Sequence, residues 1–222
     1  MNTVLVIAPH PDDELLGCGG TLLRHLAEGD RVHWLIVTAM TQQGGYSSEA
    51  IARRQAQIEA VQLAAGFTAR HELSLPTAYL DTLPLTDIVA GIGEVVCTVQ
   101  PDTLYLPYDG DVHSDHGVVF AAAKGCSKWF RYPSVKRVYT YETPSETDFA
   151  LPPQGPGMPI TRLVDISAYL ERKLELLMLY EGELGTFPFP RSEQAIRALA
   201  QLRGSAAGCS AAEGFQVLKE IV

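Results

Sequence analysis

The 222-residue chain predicts an α/β fold: a mostly parallel sheet with helices on both faces and a helical cover at the C-terminal end. Three observations predict it. Short apolar runs alternate with helix-spaced apolar residues through the first two-thirds of the chain. The first run, Val4-Leu5-Val6-Ile7, is continuous, as in a strand covered on both faces. Hydrophobic residues make up 46% of the chain against 19% charged, enough to bury a sizeable core and to exclude wholesale disorder.

The elements follow in order. The opening strand stops at Ala8-Pro9-His10-Pro11, because two prolines remove ladder donors. A helix is expected over about 15–27, ended by Gly29, and a second strand over 32–37. The polar loop 41–45 leads to Ser47 or Ser48, either of which can cap a helix reaching Ala65-Gly66. Residues 72–75 form a weaker strand. Ile88, Val89, Ile92, Val95, Val96 and Val99 recur at helical spacing, so 86–99 is a helix closed before Pro101. A fourth strand at 103–106, a helix over about 115–130 and a fifth strand at 135–141 complete the alternation. Such alternation implies right-handed crossovers and a Rossmann-like, mostly parallel sheet.

The pattern changes after Glu142. Residues 143–159 carry five prolines and two glycines and read as a long excursion. Two or three helices are then expected, one marked by Ile166, Leu170, Leu174 and Leu177 and another begun by Ser192. The expectation is one domain over 1–222, with a core at 1–142 and the excursion and helical cover at 143–222.

Charge and segment lengths exclude several classes. A formal charge of −9 disfavours a basic nucleic-acid-binding face. No apolar run approaches the ~20 residues that cross a bilayer, and the first run is too short and lacks the preceding positive charge of a signal peptide. A cytoplasmic protein is therefore expected. Cys18, Cys97, Cys126 and Cys209 form no C-x-x-C and read as reduced core or near-core thiols, not metal ligands.

The chemistry concentrates in two segments. Pro9-His10-Pro11-Asp12-Asp13-Glu14 follows the first strand, and ligands of open α/β sheets bind beyond the carboxyl ends of strands. Three consecutive acids beside a histidine are costly to bury without a counter-charge, which a divalent cation would supply. Asp111-Val112-His113-Ser114-Asp115-His116 follows the fourth strand, and the two loops meet if strands one and four are neighbours. Simpler readings exist for single residues: Asp12 or Asp13 as cap of the first helix, Asp115 as cap of the fourth. His25, His33 and His71 are read as ordinary surface or core histidines. Two such clusters at equivalent strand ends are harder to attribute to capping alone.

His10-Pro11-Asp12-Asp13-Glu14, the Gly17-x-Gly19-Gly20 run and His113-x-Asp115-His116 resemble the signature of the PIG-L/LmbE-like zinc-dependent de-N-acetylases, over residues 4 to about 141. Tyr141-Glu142-Thr143-Pro144-Ser145, Pro188-Phe189-Pro190-Arg191-Ser192, Arg203-Gly204-Ser205 and Ala212-Glu213-Gly214-Phe215 are similar to segments of a bacterial branch. The resemblance implies His10, Asp13 and His116 as metal ligands, for Zn2+ or, with the same donor set, Fe2+. It implies Asp12 as general base and His113 as an imidazolium that stabilises the oxyanion or protonates the leaving amine, with Asp115 or Asp111 holding its tautomer and raising its pKa. The implied reaction is attack of metal-bound water on the acetamide carbonyl of an N-acetylglucosamine-type conjugate, a small molecule.

Arg54 sits where the family places a substrate-reaching arginine, but the acid usual three positions later is Gln57 here. Arg191 and Arg203 are candidates to line the outer pocket, with surface or helix-end charge as the simpler reading. The alternative from another class is a nucleotide-binding Rossmann-like module without hydrolase activity. Its support is Gly17-Cys18-Gly19-Gly20-Thr21-Leu22, a partial G-x-G-x-x-G whose sixth position is Leu22 and which three acids precede. No G-x-S-x-G is present for a serine hydrolase. Apolar tail helices could also serve an interface between copies, making a homo-oligomer.

Overall fold

The computed structural model describes residues 1–150 and 157–222. Of the excursion expected over 143–159, residues 151–156 lie outside the described residues.

The strands are β1 (Thr3–Ala8), β2 (Arg31–Ala39), β3 (Ala69–Pro76), β4 (Thr103–Pro107), β5 (Arg137–Tyr141), β6 (Arg162–Asp165) and β7 (Ala212–Glu220). They form one sheet in the order β3-β2-β1-β4-β5-β7-β6. Strands β1 to β5 are mutually parallel, while β7 runs antiparallel to both β5 and β6. The chain order reverses between β1 and β4, which leaves a crevice at their carboxyl ends.

The helices are α1 (Asp13–Ala27), α2 (Ser48–Ala65), α3 (Leu85–Val99), α4 (Ser114–Ala123), α5 (Leu170–Leu177) and α6 (Glu193–Ala207). Successive β1 side chains point to opposite faces, and both are buried. Val4, Val6 and Ala8 join the core beneath α1, α2, α5 and α6. Leu5 and Ile7 join the core beneath α3 and α4. Ser47 and Ser192 cap α2 and α6 through their hydroxyls, accepting from the N–H groups of Ala50 and Ala195.

Helix α1 is broken in its second turn. Cys18 leaves the helical backbone region at φ −142°, ψ 18°, so the neighbouring amides lose their regular partners. Glu213 of β7 replaces them: its carboxylate accepts from the N–H of Gly20 at 2.9 Å and of Thr21 at 2.7 Å. Lys173 of α5 donates to the Leu16 carbonyl at 2.9 Å and to Glu213 at 2.7 Å. A buried ion pair thus satisfies the backbone on both sides of the break.

Three expectations need correction. Helix α4 ends at Ala123, not near 130; a short 3-10 turn, Lys124–Ser127, follows, and Trp129 and Phe130 are exposed. The tail is not purely helical, because β6 and β7 extend the sheet beyond β5. Strand β6 is only four residues long, and β7 contains Gly214, so neither presents the apolar run that marks β1. Cys97 is exposed rather than near the core. No helix among the described residues is long and apolar enough to cross a membrane.

Candidate active site at the β1 and β4 strand ends

The prolines that stop β1 turn the chain sharply into α1. Asp12 sits at the helix entrance with φ 129°, a conformation rarely adopted by a residue with a side chain, and makes no side-chain cap. Its buried carboxyl is held from across the fold, where Arg191 donates to Oδ2 at 2.9 Å. Glu14 supports the same turn: it accepts from the Asp12 N–H at 3.0 Å and from the Tyr180 hydroxyl at 2.9 Å.

Asp13, the first residue of α1, is buried and accepts from the His10 N–H at 2.8 Å. Because β1 and β4 are neighbours, the turn after β4 brings His113, Asp115 and His116 against it. The Asp13 Oδ2 atom lies 3.3 Å from His10 Nδ1 and 3.3 Å from His116 Nε2. The remaining ring nitrogens are tied to carboxylates, His10 Nε2 to Asp115 at 3.0 Å and His116 Nδ1 to Asp111 at 2.7 Å. Thr147 in turn donates to Asp111 at 2.6 Å, and Asp115 accepts from the N–H groups of Ala78 at 2.8 Å and Leu80 at 3.2 Å.

These three residues fit a divalent cation. His10, Asp13 and His116 each offer one donor atom within 4.8 Å of the others. Two of the separations match the ~3.3 Å edge of a tetrahedron whose bonds are ~2.0–2.1 Å. Although Asp13 is near, His116 Nε2 makes no aligned hydrogen bond, so a fully buried nitrogen is left without a partner. Such an orphan is costly unless something electrophilic fills its direction. The carboxylates behind both rings orient them as such partners do at metal sites.

Protonation reflects the same crowding. Burial lowers the His10 and His116 pKa values, but the surrounding carboxylates outweigh it and hold them up to about 9 and about 10. Burial pushes the Asp13 carboxyl up, but the His116 charge and the neighbouring His10 outweigh it and hold it well below its ordinary value. Burial, then the Asp13 charge, raise Asp12 to about 7 against the pull of Arg191.

His113 departs from its expected setting. Neither Asp111 nor Asp115 holds its ring through a carboxylate; the main-chain N–H of Asp115 donates to Nδ1 at 3.2 Å, so His113 itself caps α4. Burial and the neighbouring histidines His10 and His116 lower its pKa instead of raising it. A neutral ring whose Nδ1 accepts must carry its proton on Nε2.

His10, Asp12 and His113 line a cavity of about 240 Å³, with Arg54 and Arg191 on its wall. Glu183, which sequence reasoning did not single out, bonds both arginines, reaching Arg191 at 3.3 Å and also pairing with Arg54. It is the acid that Gln57 does not supply. Arg191 further binds Glu146 at 3.1 Å and Ser145 at 2.7 Å. Arg203, expected at the outer pocket, is not among the residues lining this cavity; its Nε and Nη2 donate to the two carboxylate oxygens of Glu142, at 2.8 and 2.6 Å.

The glycine run offers no cradle for a dinucleotide. Gly17, Gly19 and Gly20 lie within α1, where a Cβ on Gly17 would fall 2.2 Å from the Tyr141 ring and one on Gly20 2.8 Å from Ile166. These positions serve helix-to-sheet packing and are covered by the tail.

A family model described as GlcNAc-PI de-N-acetylase matches residues 5–127. The uncharacterized deacetylase YaiS of Escherichia coli (strain K12) is 25% identical over 150 residues, covering 64% of this chain and 74% of that protein. Among solved structures, N,N'-diacetylchitobiose deacetylase from Pyrococcus horikoshii aligns with a TM-score of 0.77 at 20% identity, covering 98% of this chain and 84% of that one. GalB, the 4-carboxy-2-hydroxymuconate hydratase from Pseudomonas putida KT2440, aligns at 0.74 with 16% identity, covering 100% and 98%. One fold thus accommodates a deacetylase and a hydratase, and the choice of reaction belongs to the site.

Proposed function

The chain belongs to the PIG-L family of GlcNAc-PI de-N-acetylases, whose model matches it over residues 5–127 of 222, and from that premise we propose that it is a metal-dependent hydrolase that removes the acetyl group from an N-acetylglucosamine-type conjugate. The single observation that carries the metal assignment is the convergence of His10, Asp13 and His116 on one point, with His116 Nε2 buried and unpartnered.

In this reading His10, Asp13 and His116 hold Zn2+, or Fe2+, to which the same donors are suited. When bound, the cation polarises the acetamide carbonyl and lowers the pKa of water. The rest is the work of the chain. Asp12 takes the proton from the attacking water, and a pKa near neutrality suits a general base. Arg191 keeps that carboxylate turned into the cavity. The His113 Nε2–H donates to the oxygen on which charge develops, the task of an oxyanion hole. As the C–N bond breaks, the proton held by Asp12 passes to the nitrogen, giving acetate and a free amine. Asp111 and Asp115 position the two ligand rings.

The test is a free-amine assay of zinc-loaded protein against a panel of N-acetylglucosamine conjugates, with an EDTA control. Amine release that EDTA abolishes and added zinc restores is the expected result. EDTA-insensitive release would end the metal proposal, and none from any conjugate would end the deacetylase reading.

A further inference from the structure

Every cationic side chain on the cavity wall, other than the imidazoles at the reacting end, is already neutralised from within the chain. The wall arginines are Arg54 and Arg191. Glu183 bonds both, and Arg191 also meets the carboxylates of Asp12 and Glu146. Arg54 donates its other terminal nitrogen to the Pro11 carbonyl at 3.5 Å and lies over the Tyr180 ring. Glu72 adds a further carboxylate to the wall, with its own partner in Arg70.

Of the three paired groups, the carboxylate is the most accessible. The Glu183 side chain is 30% exposed, against 11% for Arg54 and 17% for Arg191. An anion entering the cavity meets this exposed carboxylate on the wall and, among the described lining residues, finds both arginines already engaged by carboxylates. The rest of the wall is uncharged, with Met40, Tyr46, Ile51 and Ile58 supplying apolar surface and Gln55 an amide.

We infer that Glu183 is a specificity-determining residue that commits this site to uncharged conjugates, an N-acetylated amino sugar joined to a neutral sugar or aryl group, and excludes those bearing a phosphate or carboxylate next to the sugar. The inference rests on the deacetylase reading for its chemistry but not for its selectivity, which is a property of the wall.

A matched pair tests it: an aryl β-N-acetylglucosaminide and the same glycoside with a carboxylate on the aryl ring. The neutral member is expected to have at least tenfold higher kcat/KM in the zinc-loaded protein. Raising the salt concentration should narrow the gap, because screening weakens repulsion between exposed charges. Glu183→Gln should narrow it too, by raising relative turnover of the anionic member. Equal or better turnover of the carboxylated glycoside by the unaltered protein overturns the inference, as does a ratio that Glu183→Gln leaves unchanged, whatever its response to salt. If neither glycoside is deacetylated, the proposed function fails, and calorimetric binding of the same pair decides the selectivity alone: tighter binding of the neutral member supports it and the reverse ordering refutes it.

Discussion

At the scale of single residues, the proposed mechanism separates holding an ion from moving a proton. Asp12 and Asp13 are adjacent in sequence, yet the unusual backbone at Asp12 sends the two carboxyls to different partners, Arg191 and the histidine pair. Asp12→Ala is expected to keep the metal and lose about 10²–10⁴-fold in turnover, the range of general acid–base catalysis. His116→Ala should lose both. Metal content by atomic emission, measured beside the rate, checks this, and an active, zinc-bound Asp12→Ala protein would defeat the general-base role.

The same residues make the metal-free protein sensitive to alkali. With pKa values of about 9 and about 10, His10 and His116 bind protons more tightly folded than unfolded. Their contribution to stability is therefore complete below the unfolded value of ~6.5 and is lost as pH rises through 9 to 10. Thermal melts of EDTA-treated protein should show Tm falling across that window. Since both rings must give up a proton to bind a cation, zinc loading at pH 7.5 should release about two protons. Calorimetry in buffers of different ionisation enthalpy measures that number, and zero release would contradict the ligand assignment.

At the scale of elements, the break in α1 and its repair by Lys173 and Glu213 tie the tail to the site-bearing helix. Glu213→Ala would leave two amides unpaired and the Lys173 charge buried alone. A loss of about 3–5 kcal/mol is expected, as when one member of a buried pair is removed. Urea unfolding of the variant checks it, and a loss below about 1 kcal/mol would show that water replaces the carboxylate.

What could be read from the sequence follows the same division by range. The two histidine- and carboxylate-bearing loops are contiguous segments next to apolar strands, so His10, Asp13, His113 and His116 stand out without knowledge of the fold. The caps at Ser47 and Ser192 are equally local. Glu183 and Glu146 were invisible, because isolated acids on loops acquire meaning only when Arg54 and Arg191 arrive from elsewhere. The setting of His113 was misjudged for a related reason: the partner of its ring is the main-chain N–H of Asp115, and no side-chain pattern reports that. Strand β7 is hard to read because its interior Gly214 and the polar Gln216, Lys219 and Glu220 dilute the apolar signal of a strand with a solvated end.

At the scale of the whole molecule, the sheet does not end where the family match does. Strand β5, which closes the parallel half, is covered along its outer edge by β7 over Arg137 to Tyr141. A chain cut after Glu142 would expose that edge and remove Lys173, Glu213 and Arg191 together. Such a fragment is expected to lack a cooperative thermal transition, while the full chain unfolds in one step as a single domain. Scanning calorimetry compares them, and a fragment that melts cooperatively and retains zinc would make the tail a separate unit.

The tie between Glu213 and the Gly20 and Thr21 amides also orders events in time. The first helix leaves the ribosome long before residue 213 is translated, so its broken turn is made before its partner carboxylate exists. The loop that carries His10 and Asp13 is thus complete in sequence well before its supporting helix can gain the Glu213 carboxylate, which arrives only with the far strand beside β5.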